Sequence, residues 1–132
     1  MSAWIRLIDE TSTGKQLSEL LLELESERVT ARELIVRRVH EEVARHERAT
    51  TTEVFHGLVQ PTETEVTLNG YRFREPRRVD VQAQCQKALE AFDRNGFLLL
   101  VGERQVESLD EELLLTPETR VAFVRLLPLV GG

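Results

Sequence analysis

The stretch Val121-Ala122-Phe123-Val124-Arg125-Leu126-Leu127 constrains this chain more than any other, because it is apolar on both alternating faces. Val121, Phe123 and Leu127 fall on one side of an extended strand, and Ala122, Val124 and Leu126 on the other. A strand with two apolar sides needs neighbours on both edges and cover on both faces, so it predicts the centre of a sheet. Pro128 has no N–H to donate, so pairing is expected to stop there and leave Leu129 to Gly132 as a tail. The tail closes on Gly131-Gly132. Without Cβ atoms, such an end can thread a passage too narrow for any other residue and present a carboxylate to an enzyme.

A chain of 132 residues fits one domain, read here as spanning 1–132. Its net charge of -6 disfavours nucleic-acid and anionic-membrane partners, which need a net basic face. The pairs Arg37-Arg38 and Arg77-Arg78 are too short to reverse that. The one cysteine, Cys85, excludes an internal disulfide framework. No apolar run approaches the roughly 18 residues of a membrane span, and no signal-peptide pattern opens the chain. The expectation is a cytoplasmic, soluble protein.

Ala3 to Ile8 reads as a first strand with Ile5 and Leu7 inward and Arg6 outward; Asp9 to Lys15 reads as the polar turn after it. Gln16 to Glu25 is ambiguous. Leu17, Leu20, Leu21 and Leu24 fall at helical spacing, whereas a hairpin after Gly14 favours a strand over Glu19 to Glu25. Thr30 and Glu33 form a capping box that opens a helix ending near His46 to Ala49. Ala31, Leu34, Ile35, Val39 and Val43 make its apolar stripe. Within the turn-rich connection, Asn69-Gly70 between Glu65–Leu68 and Tyr71–Arg74 predicts a hairpin with a two-residue type I′ turn. A second helix starts with Asp80 as N-cap, carries Val81, Cys85, Ala88, Leu89 and Phe92 on one face, and stops at Asn95-Gly96. Phe97 to Val101 and Arg104 to Val106 are strands around Gly102-Glu103. Ser108 to Leu115 reads as a short helical turn, and Thr116-Pro117-Glu118-Thr119 as a type I turn.

Strand, turn, strand, capped helix, two paired strands and a final strand into Gly-Gly is the order of the β-grasp fold. Thr11-Ser12-Thr13-Gly14-Lys15 resembles the first hairpin of ubiquitin, and Phe97-Leu98-Leu99-Leu100-Val101-Gly102-Glu103-Arg104-Gln105-Val106 its third-strand turn region. Thr119-Arg120-Val121-Ala122-Phe123, with a proline shortly before Gly131-Gly132, resembles the small sulfur-carrier subunits of molybdopterin synthase and thiazole synthesis. The ensemble is closest to the ubiquitin-like proteins of bacterial conjugation operons. The resemblance implies an α+β, β-grasp (ubiquitin-like) mixed sheet packed on a helix. A long hairpin-plus-helix, residues 50–95, is inserted between the main helix and the third strand, and 128–132 is the tail. It departs from ubiquitin where Pro128 and Val130 replace the arginines before the diglycine.

In function, the resemblance implies a protein modifier that is not itself an enzyme and needs no cofactor. Gly132 would be the activated residue and Gly131 its steric partner. An ATP-dependent activating enzyme adenylates the carboxylate, a conjugating-type enzyme receives the acyl group, and a target protein accepts it. The alternatives are a sulfur carrier whose Gly132 becomes a thiocarboxylate for cofactor biosynthesis, and a noncovalent interaction domain with an incidental diglycine. With Pro128, Leu129 and Val130 of the tail, the face formed by Ala122, Val124 and Leu126 is the expected partner-binding surface, unless the 50–95 connection folds over it. That connection is either a cover for the sheet or a docking surface of its own.

Other candidates for chemistry are weaker. Cys85 lies on an apolar helix face, where a buried thiol is the ordinary outcome. His40 and His46 do not share a helical face, and His40-Glu41-Glu42 lacks the second histidine of a zinc-protease helix, so no metal site is expected. Glu41-Glu42 and Asp110-Glu111-Glu112 read as solvated faces, and His56 as solvent-facing loop.

Overall fold

The computed structural model describes residues 2–48, 54–61, 64–66, 70–73 and 79–126. Strands β1 (Ala3–Thr11) and β2 (Gln16–Leu24) form a hairpin, and β3 (Arg28–Thr30) leads into helix α1 (Ala31–Arg48). The connection contributes β4 (Val54–Phe55), β5 (Thr64–Val66), β6 (Tyr71–Phe73) and helix α2 (Val81–Asp93). The remainder is β7 (Phe97–Val101), β8 (Arg104–Gln105), β9 (Glu112–Leu114) and β10 (Val121–Arg125).

The main sheet has five strands in the order β2-β1-β10-β7-β8, so the two-sided apolar strand is its centre. β10 runs parallel to β1, with Leu7 opposite Val121 and Asp9 opposite Phe123, and antiparallel to β7, with Phe123 opposite Leu99. Val121, Ala122 and Phe123 are fully buried. The inner face carries Ile5, Leu7, Leu22, Leu24, Val121, Phe123, Phe97 and Leu99, which form one core with Leu34, Ile35, Val39 and Val43 of α1. All five stripe residues expected for α1 are buried.

The ambiguous leucine segment is a strand. Pairing with β1 along nearly its whole length overrides the helical propensity, and sends Leu22 and Leu24 inward. β1 also runs three residues further than expected. Asp9 and Thr11 are therefore buried strand residues rather than parts of a polar turn, and the chain reverses at Ser12–Gly14, where Gly14 has φ +90°.

The N-terminus of α1 is capped from two directions. Thr30 Oγ1 accepts the Glu33 N–H at 3.1 Å and its hydroxyl donates to Glu33 Oε1 at 3.1 Å. Ala31 and Arg32 donate their N–H groups to the carbonyls of Glu111 and Leu109, at 3.0 and 2.9 Å. These bonds explain a correction. Ser108–Leu115 is not a helical turn: after a turn at Leu109-Asp110 it extends as β9, pairs with β3 and buries Leu113.

Helix α2 starts as expected, with Asp80 Oδ1 accepting the N–H groups of Gln82 and Ala83 at 3.0 and 3.2 Å. It stops at Asn95, whose φ of 57° lets Gly96 N–H reach the Ala91 carbonyl at 2.7 Å. Its buried line is Gln84, Ala88 and Phe92, while Val81, Cys85 and Leu89 are only half-buried. The helix is turned so that the Gln84 amide donates to the Val59 carbonyl at 2.8 Å. The inserted hairpin forms, with Val66 opposite Tyr71, and of the residues expected to turn it only Gly70 is described. Thr67 to Asn69 lie outside the described residues. No helix among the described residues is long and apolar enough to cross a membrane.

Candidate functional site

The functional reading of the sequence centres on the chain beyond β10. Gly131 and Gly132, with Pro128, Leu129 and Val130, lie outside the described residues, which reach Leu126. What the structure does describe is the platform from which that segment leaves.

The outer face of the sheet carries the apolar row Ile8–Ala122–Leu100 and, beside it, Val124 next to Leu98. Ala122 has no exposed surface, because its methyl group sits between the larger Ile8 and Leu100. It therefore lends shape to this face without offering contact area, a correction to its place in the expected binding set. Val124 is half-buried, and Leu126 is 42% exposed. Ion pairs flank the row: Arg6 with Glu19 and Arg120 with Glu10, each at 2.6 Å. The connection packs on the opposite side. Phe92 of α2 meets Phe97 at 6.1 Å between ring centroids, and Phe55 of β4 stands edge-on to His46 of α1 at 5.3 Å.

Beneath the end of β10 lies a feature that sequence reasoning missed, a buried cluster of charges. Arg38 of α1 donates to Asp9 Oδ1 and Oδ2 at 2.5 and 2.7 Å and to Glu42 Oε2 at 2.9 Å. Its guanidinium carbon lies 4.6 Å from the centroid of the Phe123 ring. Arg125, the last residue of β10, donates through Nη2 to the Gly57 carbonyl at 2.6 Å and to Asp9 Oδ2 at 3.4 Å. Ser18 donates to the same Asp9 oxygen at 3.0 Å. Glu42 Oε1 and Arg125 Nε are buried without a hydrogen-bond partner among the described residues.

The two carboxyls that share Arg38 are pushed in opposite directions. Burial alone raises Asp9, but its paired bonds to Arg38, with Arg125 and Ser18 behind them, hold it below the usual aspartate range. Burial also raises Glu42, and here Arg38 offsets it only in part while the Asp9 charge adds to the rise. Burial lowers Arg38, but Glu42 and Asp9 outweigh that and raise it. Burial raises the Tyr71 phenol, and the charge of nearby Arg125 offsets that only in part.

Glu42 is thus a buried ion-pair member and not part of a solvated acidic face. The signal was available. On a helix of 3.6 residues per turn, Arg38, Glu42 and His46 fall within the stripe that runs from Leu34 to Val43. The remaining chemistry-bearing side chains are dispersed. Cys85 is half-buried and its thiol is pushed up by burial, away from the reactive thiolate. His40 and His56 are exposed on different elements, and His46 is buried. No protein-family model matches the sequence, and neither does any curated protein or solved structure.

Proposed function

We propose that this chain is a ubiquitin-like protein modifier of β-grasp architecture, activated at the Gly132 carboxylate. The observation that carries the reading is the sheet order β2-β1-β10-β7-β8, in which the last strand is inserted parallel to the first and at the centre. That order, with α1 across the inner face, is compatible with a β-grasp. It also anchors the start of the tail in the most buried strand of the molecule. A rigid anchor that feeds a side-chain-free end suits a protein that hands its own carboxyl group to an enzyme.

In this reading the chain supplies the acyl group and a recognition surface, and its partners supply the catalysis. A carboxylate is a poor acyl donor because attack would have to expel an oxide. Adenylation by an activating enzyme converts it into a mixed anhydride with AMP as leaving group and releases pyrophosphate. A conjugating-type enzyme then takes the acyl group, and a target protein receives it. Leu126, Val124, Leu98 and Leu100 are the accessible apolar residues at and beside the end of β10.

Intact-mass spectrometry tests the proposal. The chain is incubated with ATP and a candidate adenylating enzyme, beside Gly132→Ala and a variant lacking Gly131 and Gly132. An ATP-dependent adduct that requires the intact tail is the expected result. A gain equal to oxygen-to-sulfur exchange would move the reading to sulfur carriage. With an enzyme of proven activity, no tail-dependent change would leave a noncovalent interaction domain.

A further inference from the structure

The described part of the insert, residues 54–61, 64–66 and 70–73, meets the sheet through a hydrogen bond at the end of β10. Arg125 spans the gap: one guanidinium nitrogen serves both the Gly57 carbonyl and Asp9. Asp9 is in turn gripped by Arg38. The insert is therefore tied through Arg125 to the most buried charge cluster in the protein, one residue before Leu126.

The described part of the insert is closely packed around Phe55. A Cβ at Gly57 would lie 2.1 Å from the buried Phe55 ring, and one at Gly70 would lie 2.6 Å from the Phe55 carbonyl oxygen. Phe55 is fully buried against His46. Gln60 donates to Thr64 O at 2.8 Å and Thr64 to Pro61 O at 2.7 Å, which closes the turn on itself.

We infer that Arg125 is a positioning residue: it locks the insert against the end of β10, so that the insert forms a fixed wall of the surface the adenylating enzyme meets as it takes the tail. The inference rests on the modifier reading above and adds a specificity element to it. Arginine suits the position because the Nη2 of its planar, rigid guanidinium donates to a carbonyl and a carboxylate at once, whereas lysine is a flexible point charge that fixes neither direction.

The test uses the full chain as wild type, Arg125→Lys and Arg125→Met, with thermal melts to establish that each variant folds. Lysine keeps a cation near Asp9 but not the planar group that fixes the bond to Gly57, so it guards against the methionine variant failing to fold. Amide hydrogen exchange needs no enzyme. We expect Arg125→Lys to speed exchange at residues 54–59 and 71–73 by ~10-fold or more while the β1 and α1 amides stay slow. Adenylation kinetics with ATP and the candidate enzyme follow. We expect KM for the chain to rise ~5-fold or more with kcat nearly unchanged, the mark of lost recognition and not of lost chemistry.

Unchanged exchange in the insert would overturn the locking role. Faster exchange with unaltered KM would show that the insert is no part of the enzyme-facing surface and would overturn the inference while leaving the modifier reading intact. A wild-type chain that a demonstrably active enzyme ignores would remove the modifier reading and the wall with it, and exchange alone would then decide whether Arg125 holds the insert.

Discussion

Arg38 grips Asp9 through two parallel hydrogen bonds, with both partners almost wholly removed from solvent. The helix contributes the cation and the strand the anion, so the pair fixes how α1 crosses the sheet. Glu42 hangs on the remaining guanidinium nitrogen of the same arginine. One arginine thus serves two carboxyls that are not equivalent.

That inequality predicts opposite responses to neutral isosteres. Asp9→Asn leaves Arg38 with a weakened partner in the core and should cost about 3 kcal/mol or more. Glu42→Gln replaces a carboxyl that burial already pushes toward its neutral form, and should cost about 1 kcal/mol or less. Urea denaturation of both variants at pH 7 decides this, and equal losses would contradict the assignment.

The same pair sets part of the pH profile. Glu42 is raised in the fold, so its contribution is fully present below the unfolded value of about 4.3 and is lost as pH rises through the folded value. Asp9 is lowered, so its contribution is present above about 3.9 and is lost as pH falls through its folded value. Relative to Glu42→Gln, the wild type should therefore gain stability as pH falls from 7 toward about 4.3, while both chains lose stability at more acid pH as Asp9 protonates. Thermal melts of both chains across that range would show the two effects.

Burial lowers His46, the ring against which Phe55 packs. Its contribution is present above the unfolded value of about 6.5 and is lost as pH falls through the folded one. Acidification from pH 7 to 5 should lower the protection of the Val54 and Phe55 amides, taken against their intrinsic exchange at each pH, before it reaches β10. His46→Gln should flatten that dependence, as exchange measurements at several pH values would reveal.

Two glycines should respond to alanine for different reasons. At Gly70 the new methyl meets a backbone carbonyl that cannot swing aside, and overpacking of this kind costs about 1–3 kcal/mol. At Gly14 the space is open, but the φ of +90° disfavours any side chain, with an expected loss of about 1–2 kcal/mol. Only Gly70→Ala should loosen the insert, which exchange at residues 54–59 distinguishes from a general loss.

The free edge of β2 is covered by side chains from α1. Arg45 donates to the Leu21 carbonyl and Arg37 to the Glu23 carbonyl, each at 3.2 Å. Replacing both by alanine should change stability by less than about 1 kcal/mol. It uncovers strand acceptors beside the exposed Leu21 and Trp4, however, so self-association should rise. Sedimentation velocity over a concentration series tests this.

Much of the fold was legible because hydrophobic period and turn chemistry agreed. The two-sided strand, the stripe of α1, the Asp80 cap and the Asn95-Gly96 stop each rest on local rules that the packing leaves alone. The failures share a cause in contacts between distant residues. Asp9 reads as turn because its partner lies on another element, and Ser108–Leu115 reads as helical because nothing local announces that Leu109 and Glu111 cap α1. The buried cluster joins residues from β1, α1, β10 and the insert, and only its helical part left a periodic trace.

The place of β10 in the sheet has a consequence for how the molecule assembles. It is the one strand that joins the β2-β1 hairpin to the β7-β8 hairpin. During synthesis both hairpins and both helices precede it, yet no ladder hydrogen bond links the two halves of the main sheet until Val121–Arg125 slides between them. Closure pairs residues from opposite ends of the described chain, a non-local step of the kind that slows folding. The segment that closes the main sheet is the last strand described, so the central core position is filled only after every other described element has been made.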